Sequence, residues 1–363
     1  MNENDIFYKL KDEIDFIDKL NKYNSINSNG IINKLVQKKY NLLFKSLLPQ
    51  ISYALNKLHG LNKPNYYWQI ILSNWFHYFL TIIVNRGQFI EYLYKENTLI
   101  IDHNKKQLEI NPSFDFVNFY RNTNSIKWNE IIIYQLIYCK NNQLNLNRLK
   151  PLRNDSIYEM NLSKKNSFFS NTKFFIRNIM EMFIRFIPRR KNYALLLFPW
   201  RFHWLQLIYL YLLSFGKIIP HSRFFEKKLL SNSNLQSQAS IELRIKFFKY
   251  LLEKSNDFEL EKKIISLNIP ISILENFKEI NKASLNFNKF YKSKLIVSFG
   301  SHIDNELLKN AIAEYKLKNI NIIISQHGNV PRLINHKYHR DLETEYVTGN
   351  IYLTWGWKLR KKD

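Results

Sequence analysis

Gln326-His327-Gly328 is the run in which residue type and position together suggest chemistry. An imidazole exchanges a proton near neutral pH. A glycine beside it lets a backbone N–H approach an oxyanion or phosphate closely, and the glutamine amide both donates and accepts hydrogen bonds. The run directly follows residues 319–325, where Ile320, Ile322, Ile323 and Ile324 form a continuous apolar stretch that reads as a buried parallel strand. It therefore falls at the carboxyl end of a strand, the edge at which open α/β sheets bind ligands. The same three residues would also serve as an ordinary turn closing a strand, with His327 bonding the next loop. On this run alone both readings stand.

Other catalytic patterns are missing. With eight glycines there is no G-x-G-x-x-G and no Walker A loop to cradle a dinucleotide or nucleoside triphosphate. No D-x-D pair offers to hold a divalent cation against a diphosphate, and no G-x-S-x-G elbow occurs. A lone cysteine, Cys139, excludes Cys-rich zinc sites and an internal disulfide framework. His336 and His339 stand three apart without a third ligand, so no metal is expected.

The elements that must position the run follow from periodicity. Residues 34–58 carry Leu35, Leu42, Leu43, Leu47, Ile51, Leu55 and Leu58 at helical spacing, and His59-Gly60 supplies a stop. A second helix is predicted from about Tyr66 to Lys95, a short strand at 99–102, and helices at 112–122 and 127–139. Residues 1–147 thus read as a mostly helical region. Residues 148–192 change character: between 148 and 191 stand eleven basic residues against Asp155, Glu159 and Glu181. This stretch reads as a basic, aromatic linker containing an amphipathic helix at 174–187. From 193 to 357 strands and helices alternate, with strands at 193–198, 217–220, 294–299, 319–325 and 351–354. Helices fall between them at 203–215, 240–254 and 304–315, the pattern of a Rossmann-like parallel sheet covered on both faces. Residues 358–363 form a basic tail. The fold class is accordingly α/β, a helical N-terminal region followed by a Rossmann-like lobe.

Composition bounds the partners. Lys and Arg number 54 against 30 Asp and Glu, a net +24 that favours polyanions: nucleotide phosphates, nucleic acid or an anionic membrane. Abundant Lys, Asn and Ile are equally what an AT-rich genome would encode. No helix-turn-helix, RNP or zinc-finger pattern appears, so nucleic acid is not the expected partner. The N-terminus lacks the basic and apolar regions of a signal peptide. The apolar stretches 69–84 and 194–219 are interrupted by Asn74 and His77, and by Arg201, His203 and Gln206. They therefore read as buried elements rather than membrane spans.

Two blocks of residues carry a family resemblance. The first runs Ile269-Pro270, Leu274-Glu275, the strand at 294–299, Gln326-His327-Gly328, Glu345 and Thr354-Trp355-Gly356-Trp357. The second runs from Leu55 to Gly60, then Tyr67-Trp68, Trp75 and Arg86, and is joined by residues 193–199, Trp204 and 210–213. Together, over residues 45–360, they resemble a family of transferases of bacterial surface-carbohydrate loci. The resemblance is weakest at 97–192. This chain departs from the family in following the motif with Asn329-Val330-Pro331 instead of further glycines, in starting later, and in stopping at Asp363 soon after Trp-Gly-Trp.

The resemblance implies a glycosyltransferase-like enzyme of two-lobed, GT-B-like type. It would use a nucleotide-activated donor as substrate, a carbohydrate or lipid-linked glycan as acceptor, and no cofactor. His327 would be the general base on an acceptor hydroxyl or a donor to a phosphate oxygen, with Gln326 and Gly328 shaping the pocket. Glu345 would orient His327 or bond a sugar hydroxyl; a helix-surface carboxylate is the plainer reading. Trp355 and Trp357 would flank Gly356 at the joint between lobes, as substrate contacts or as packing. The same resemblance implies an acceptor-side lobe that needs a donor-binding lobe, supplied in trans if in no other way. A cytoplasmic protein is expected, peripheral on the inner face of the membrane. The competing expectation is a non-catalytic basic module in which residues 168–191 lie on an anionic bilayer or glycan.

Overall fold

The computed structural model describes residues 31–95, 108–141, 149–151, 193–197, 204–221, 223–231, 233–300, 302–326 and 345–354. The chain divides into two compact units. One comprises Met1–Asn65, Trp75–Ile157 and Gln236–Glu275; the other comprises Tyr66–Asn74, Tyr158–Leu235 and Asn276–Asp363. The predicted strand at 99–102, the basic helix at 174–187 and the segment 168–191 lie outside the described residues.

The first unit is mostly helical. Helix α1 spans Ile31–His59 and buries Tyr40, Leu43, Leu47, Ile51 and Leu55, one stripe at three- and four-residue spacing. Leu42 falls off that stripe and is 55% exposed, although its apolar character suggested the core. Gly60, at φ +68°, takes the left-handed conformation that ends α1. The Leu61 N–H then closes back on the Asn56 carbonyl at 2.8 Å, satisfying an otherwise orphaned helix acceptor.

Helix α2, Asn65–Lys95, buries Trp75 in a stack with Phe79, and Arg86 donates to the Asn129 side chain at 2.8 and 3.1 Å. These aromatic and basic residues of the second resemblance block are thus packing residues. Strands β1 (Leu108–Ile110) and β2 (Leu149–Pro151) form a small parallel pair. Helix α3 covers Phe116–Asn122 rather than 112–122. The Asp115 carboxylate caps its start by accepting from the Asn118 N–H, so the preceding residues stay out of the helix. Helix α4, Ile126–Asn141, holds Cys139 in the core. Burial pushes that thiol up to about 12. At pH 8 the folded protein is therefore expected to resist iodoacetamide and to be alkylated only once unfolded in urea. Rapid alkylation of the native chain would contradict the placement.

The same unit contains a buried ion pair. Helices α7 (Ile241–Lys254), α8 (Glu259–Asn268) and α9 (Ile271–Leu274) follow one another, with Ser240 capping α7 through the Leu243 N–H. Arg244 Nη2 on α7 lies 3.0 Å from each oxygen of Glu275, both side chains being fully buried. Arg244 Nη1 donates to the Ser266 and Leu267 carbonyls at the end of α8, and Glu275 accepts from the Ser240 N–H. Burial pushes the Glu275 carboxyl upward, and the Arg244 charge pulls against it. The Leu-Glu of the resemblance block thus gains a structural explanation: its glutamate, through Arg244, helps tie three helices together.

The second unit is a five-stranded, wholly parallel sheet of order β4-β3-β5-β6-β7. Its strands are β3 (Ala194–Leu197), β4 (Ile218–Pro220), β5 (Leu295–Ser298), β6 (Asn321–Ser325) and β7 (Ile351–Leu353). Helix α5 (Trp204–Leu213) joins β3 to β4, α6 (Arg223–Ser231) follows β4, α10 (Phe277–Tyr291) precedes β5, and α11 (Glu306–Leu317) joins β5 to β6. The α/β, Rossmann-like lobe expected from strand-helix alternation is therefore present. Crossovers β3–α5–β4 and β5–α11–β6 run in opposite directions across the sheet, so right-handed connections put α5 and α11 on opposite faces. One face is buried across β3, β5 and β6: Leu195, Ile296 and Ile322 share a row, as do Leu197, Ser298 and Ile324. Helix α10 packs along α11, where Asn288 donates to the Ala311 carbonyl at 3.0 Å. The Tyr67 hydroxyl donates to Glu314 at 2.9 Å and is held well above the usual phenol range by burial first and that carboxylate second.

Candidate functional site

The strand order reverses between β3 and β5. The chain moves outward from β3 to β4, returns past it to β5, and then proceeds to β6 and β7. Beyond the carboxyl ends of β3 and β5 such a sheet leaves a crevice that helices on opposite faces cannot close, the usual ligand site of this architecture. Parallel strands stand about 4.8 Å apart. Residues just past neighbouring strand ends therefore come within reach of one small ligand.

Three strands deliver polar side chains there. After β4 comes His221, whose N–H extends the ladder to the Leu196 carbonyl at 2.9 Å. Its Nε2 lies 3.0 Å from Glu226 Oε2 on α6, both residues being buried. The other Glu226 oxygen accepts from Asn305 Nδ2, and Asn305 itself caps α11 through the Leu308 N–H. Since β3 lies between β4 and β5, this chain of bonds passes from one side of the crevice to the other. It fixes the start of α6 against the start of α11.

After β5 the backbone turns at Gly300, φ +85°, a conformation that a side chain would strain. His302 then folds back, placing its Nδ1 2.9 Å from Ser298 Oγ, the last residue of β5; both side chains are buried. That bond fixes the ring's orientation. After β6, Gln326 is buried and its N–H donates to the Leu353 carbonyl at 2.8 Å, so β6 and β7 stay paired up to the edge.

Glu345 is buried in a helical turn at residues 345–348 that leads into β7. The Tyr352 hydroxyl donates to its carboxylate at 2.5 Å, and the rings of Tyr346 and Tyr352 meet edge to face. Burial first and Glu345 second hold the Tyr352 hydroxyl above its ordinary value. Glu345 is thus anchored beside β7 and is not a surface carboxylate. His327, Gly328, Trp355 and Trp357 lie outside the described residues. Of the predicted site residues, the structure brings Gln326 to the carboxyl edge and places Glu345 against the sheet. Among the described residues no group of three or more His, Cys, Asp or Glu could hold a metal ion.

Sequence reasoning passed over His221, Glu226, Ser298 and His302. The rule that singled out Gln326-His327-Gly328 applies equally to Ser298–His302, where a glycine and a histidine follow a predicted strand. The His221–Glu226–Asn305 chain left no such signal, because its third member lies 79 residues from the second. Two histidines with buried hydrogen-bond partners stand at this edge.

Comparison with known proteins gives the lobe a family. No curated protein and no solved structure matches the chain. The family model for LIC12162 family transferases matches residues 7–363, nearly the whole length. The chain belongs to the LIC12162 family of transferases.

Proposed function

We propose that this transferase moves a glycosyl or related carbohydrate group from a nucleotide-activated donor to a hydroxyl of a carbohydrate or lipid-linked glycan, in the assembly of a bacterial surface polysaccharide. The observation that carries the reading is the carboxyl edge at the β3/β5 reversal, where Ser298–His302 and Gln326 close neighbouring strands. His327 follows Gln326 directly and takes the acceptor proton. The acceptor oxygen forms a bond to the anomeric carbon, and the bond from that carbon to the donor phosphate breaks. The nucleoside diphosphate leaves with the electron pair. Gln326 and Gly328 shape the pocket, while His302, locked by Ser298, offers a second polar group to the bound sugar or phosphate.

The test combines binding and turnover. Purified protein is screened by thermal shift against nucleoside diphosphates and their common sugar esters, and for nucleoside diphosphate release with bacterial glycolipid extract as acceptor. At least one donor is expected to raise the melting temperature and to be consumed only when acceptor is present. Silence across the panel in both assays would sink the carbohydrate reading and leave the transferase class.

A further inference from the structure

The outward side of α5 is apolar where a helix on a sheet ordinarily turns charge to water. Leu205, Ile208, Tyr209, Leu212 and Leu213 are each between 38% and 64% exposed. Their spacing of i, i+3, i+4, i+7 and i+8 makes one continuous stripe. Phe215, two residues past the helix, is 75% exposed and extends it. No Lys, Arg, Asp or Glu occurs anywhere in α5. Single exposed apolar residues are commonplace, but a stripe of six marks a surface that meets something other than water.

Charge says what that something is. Residues 158–235, the stretch of the second unit that carries α5, hold thirteen Lys and Arg against three Asp and Glu. Lys217 is exposed two residues beyond Phe215, at the end of the stripe. A second copy of a chain at +24 would be repelled at long range. A soluble polyanion would meet the lysines and leave the leucines wet. An anionic bilayer answers both features, taking the stripe into the boundary between headgroups and acyl chains while its phosphates meet Lys217 and the positive field of the unit.

We infer that α5 is an interfacial helix that seats this protein on an anionic phospholipid surface. Because α5 follows β3, it begins at the carboxyl edge of the sheet, beside the β3/β5 reversal. A bilayer held there brings a lipid-borne acceptor to the candidate site. The inference stands apart from the transfer chemistry, and the test below needs no substrate.

The full chain is sedimented with vesicles of equimolar phosphatidylglycerol and phosphatidylcholine, and with phosphatidylcholine alone. Binding is expected to the anionic vesicles and to fall as salt is raised. In the double variant Leu212→Gln and Leu213→Gln, both side chains already exposed, affinity for the anionic vesicles is expected to drop by roughly tenfold or more at unchanged circular dichroism. Buried Cys139 allows selective labelling of an introduced thiol. An environment-sensitive fluorophore on Leu212→Cys should shift to the blue with anionic vesicles, and one on Lys318→Cys should not. The inference is overturned by equal binding to both vesicle types, by no binding, by wild-type affinity in the double variant, or by an unshifted label. It is overturned equally if the double variant abolishes a concentration-dependent dimer, which would make a second copy the occupant.

Discussion

Arg244→Ala is expected to cost the folded state about 3–5 kcal/mol, the scale of breaking one side of a buried ion pair. The guanidinium is wholly buried and serves two structures at once. It holds the Glu275 carboxylate, and it satisfies the Ser266 and Leu267 carbonyls where α8 ends. Removing it leaves a buried carboxylate without its cation and two acceptors without a donor. Urea denaturation should show the midpoint falling sharply with little change in slope. Replacing both partners, with Arg244→Met and Glu275→Leu together, should cost less than Arg244→Ala, because no buried carboxylate is left without its cation, although the Ser266 and Leu267 carbonyls and the Ser240 N–H still lose their partners. Two apolar side chains of similar volume remove the desolvation penalty along with the attraction. A midpoint unmoved by Arg244→Ala would show that the pair does not form.

The second large effect concerns turnover. Once a donor and acceptor are in hand, His327→Ala is expected to lower the rate by roughly a hundredfold or more, the usual scale for losing a general base. Acceptor affinity should change much less, because a base acts mainly in the transition state. The melting temperature should stay near that of the wild type, which separates this loss from misfolding. Wild-type turnover in His327→Ala would reduce the residue to a turn former closing β6. In that event the proton would pass to another group at the edge, with His302 the next to replace.

Much of the scaffold was legible before any coordinates. The α1 stripe and its Gly60 stop, the helix beginning near residue 240, and the apolar runs of β3, β5 and β6 all announce themselves, because each depends on residues close in the chain. Alternation of those runs with helical periods was enough for an α/β lobe with a parallel sheet. The boundaries were less secure, as residues 112–115 show: a helix was expected through them, and the Asp115 cap starts it later. Leu42 likewise looked like core by type, but its position around the helix turns it outward.

What the residues by themselves determined was therefore local: which segments become strands and helices, where several of them stop, and that Gln326 must stand at the end of a strand. What only the tertiary structure decided was adjacency. Strand order 4-3-5-6-7 cannot be read from any one strand, since each is an apolar run able to pair with any other; the crossovers and their handedness select the order. That order places the reversal between β3 and β5. It brings the His221–Glu226 pair across to Asn305 and makes Ser298–His302 a neighbour of Gln326. The same holds for Arg244 and Glu275, 31 residues apart, which look like surface charges in sequence and form an ion pair in the core. A hydrogen bond or ion pair between distant residues leaves no periodicity behind, because its partners are chosen by the packing of the elements that carry them.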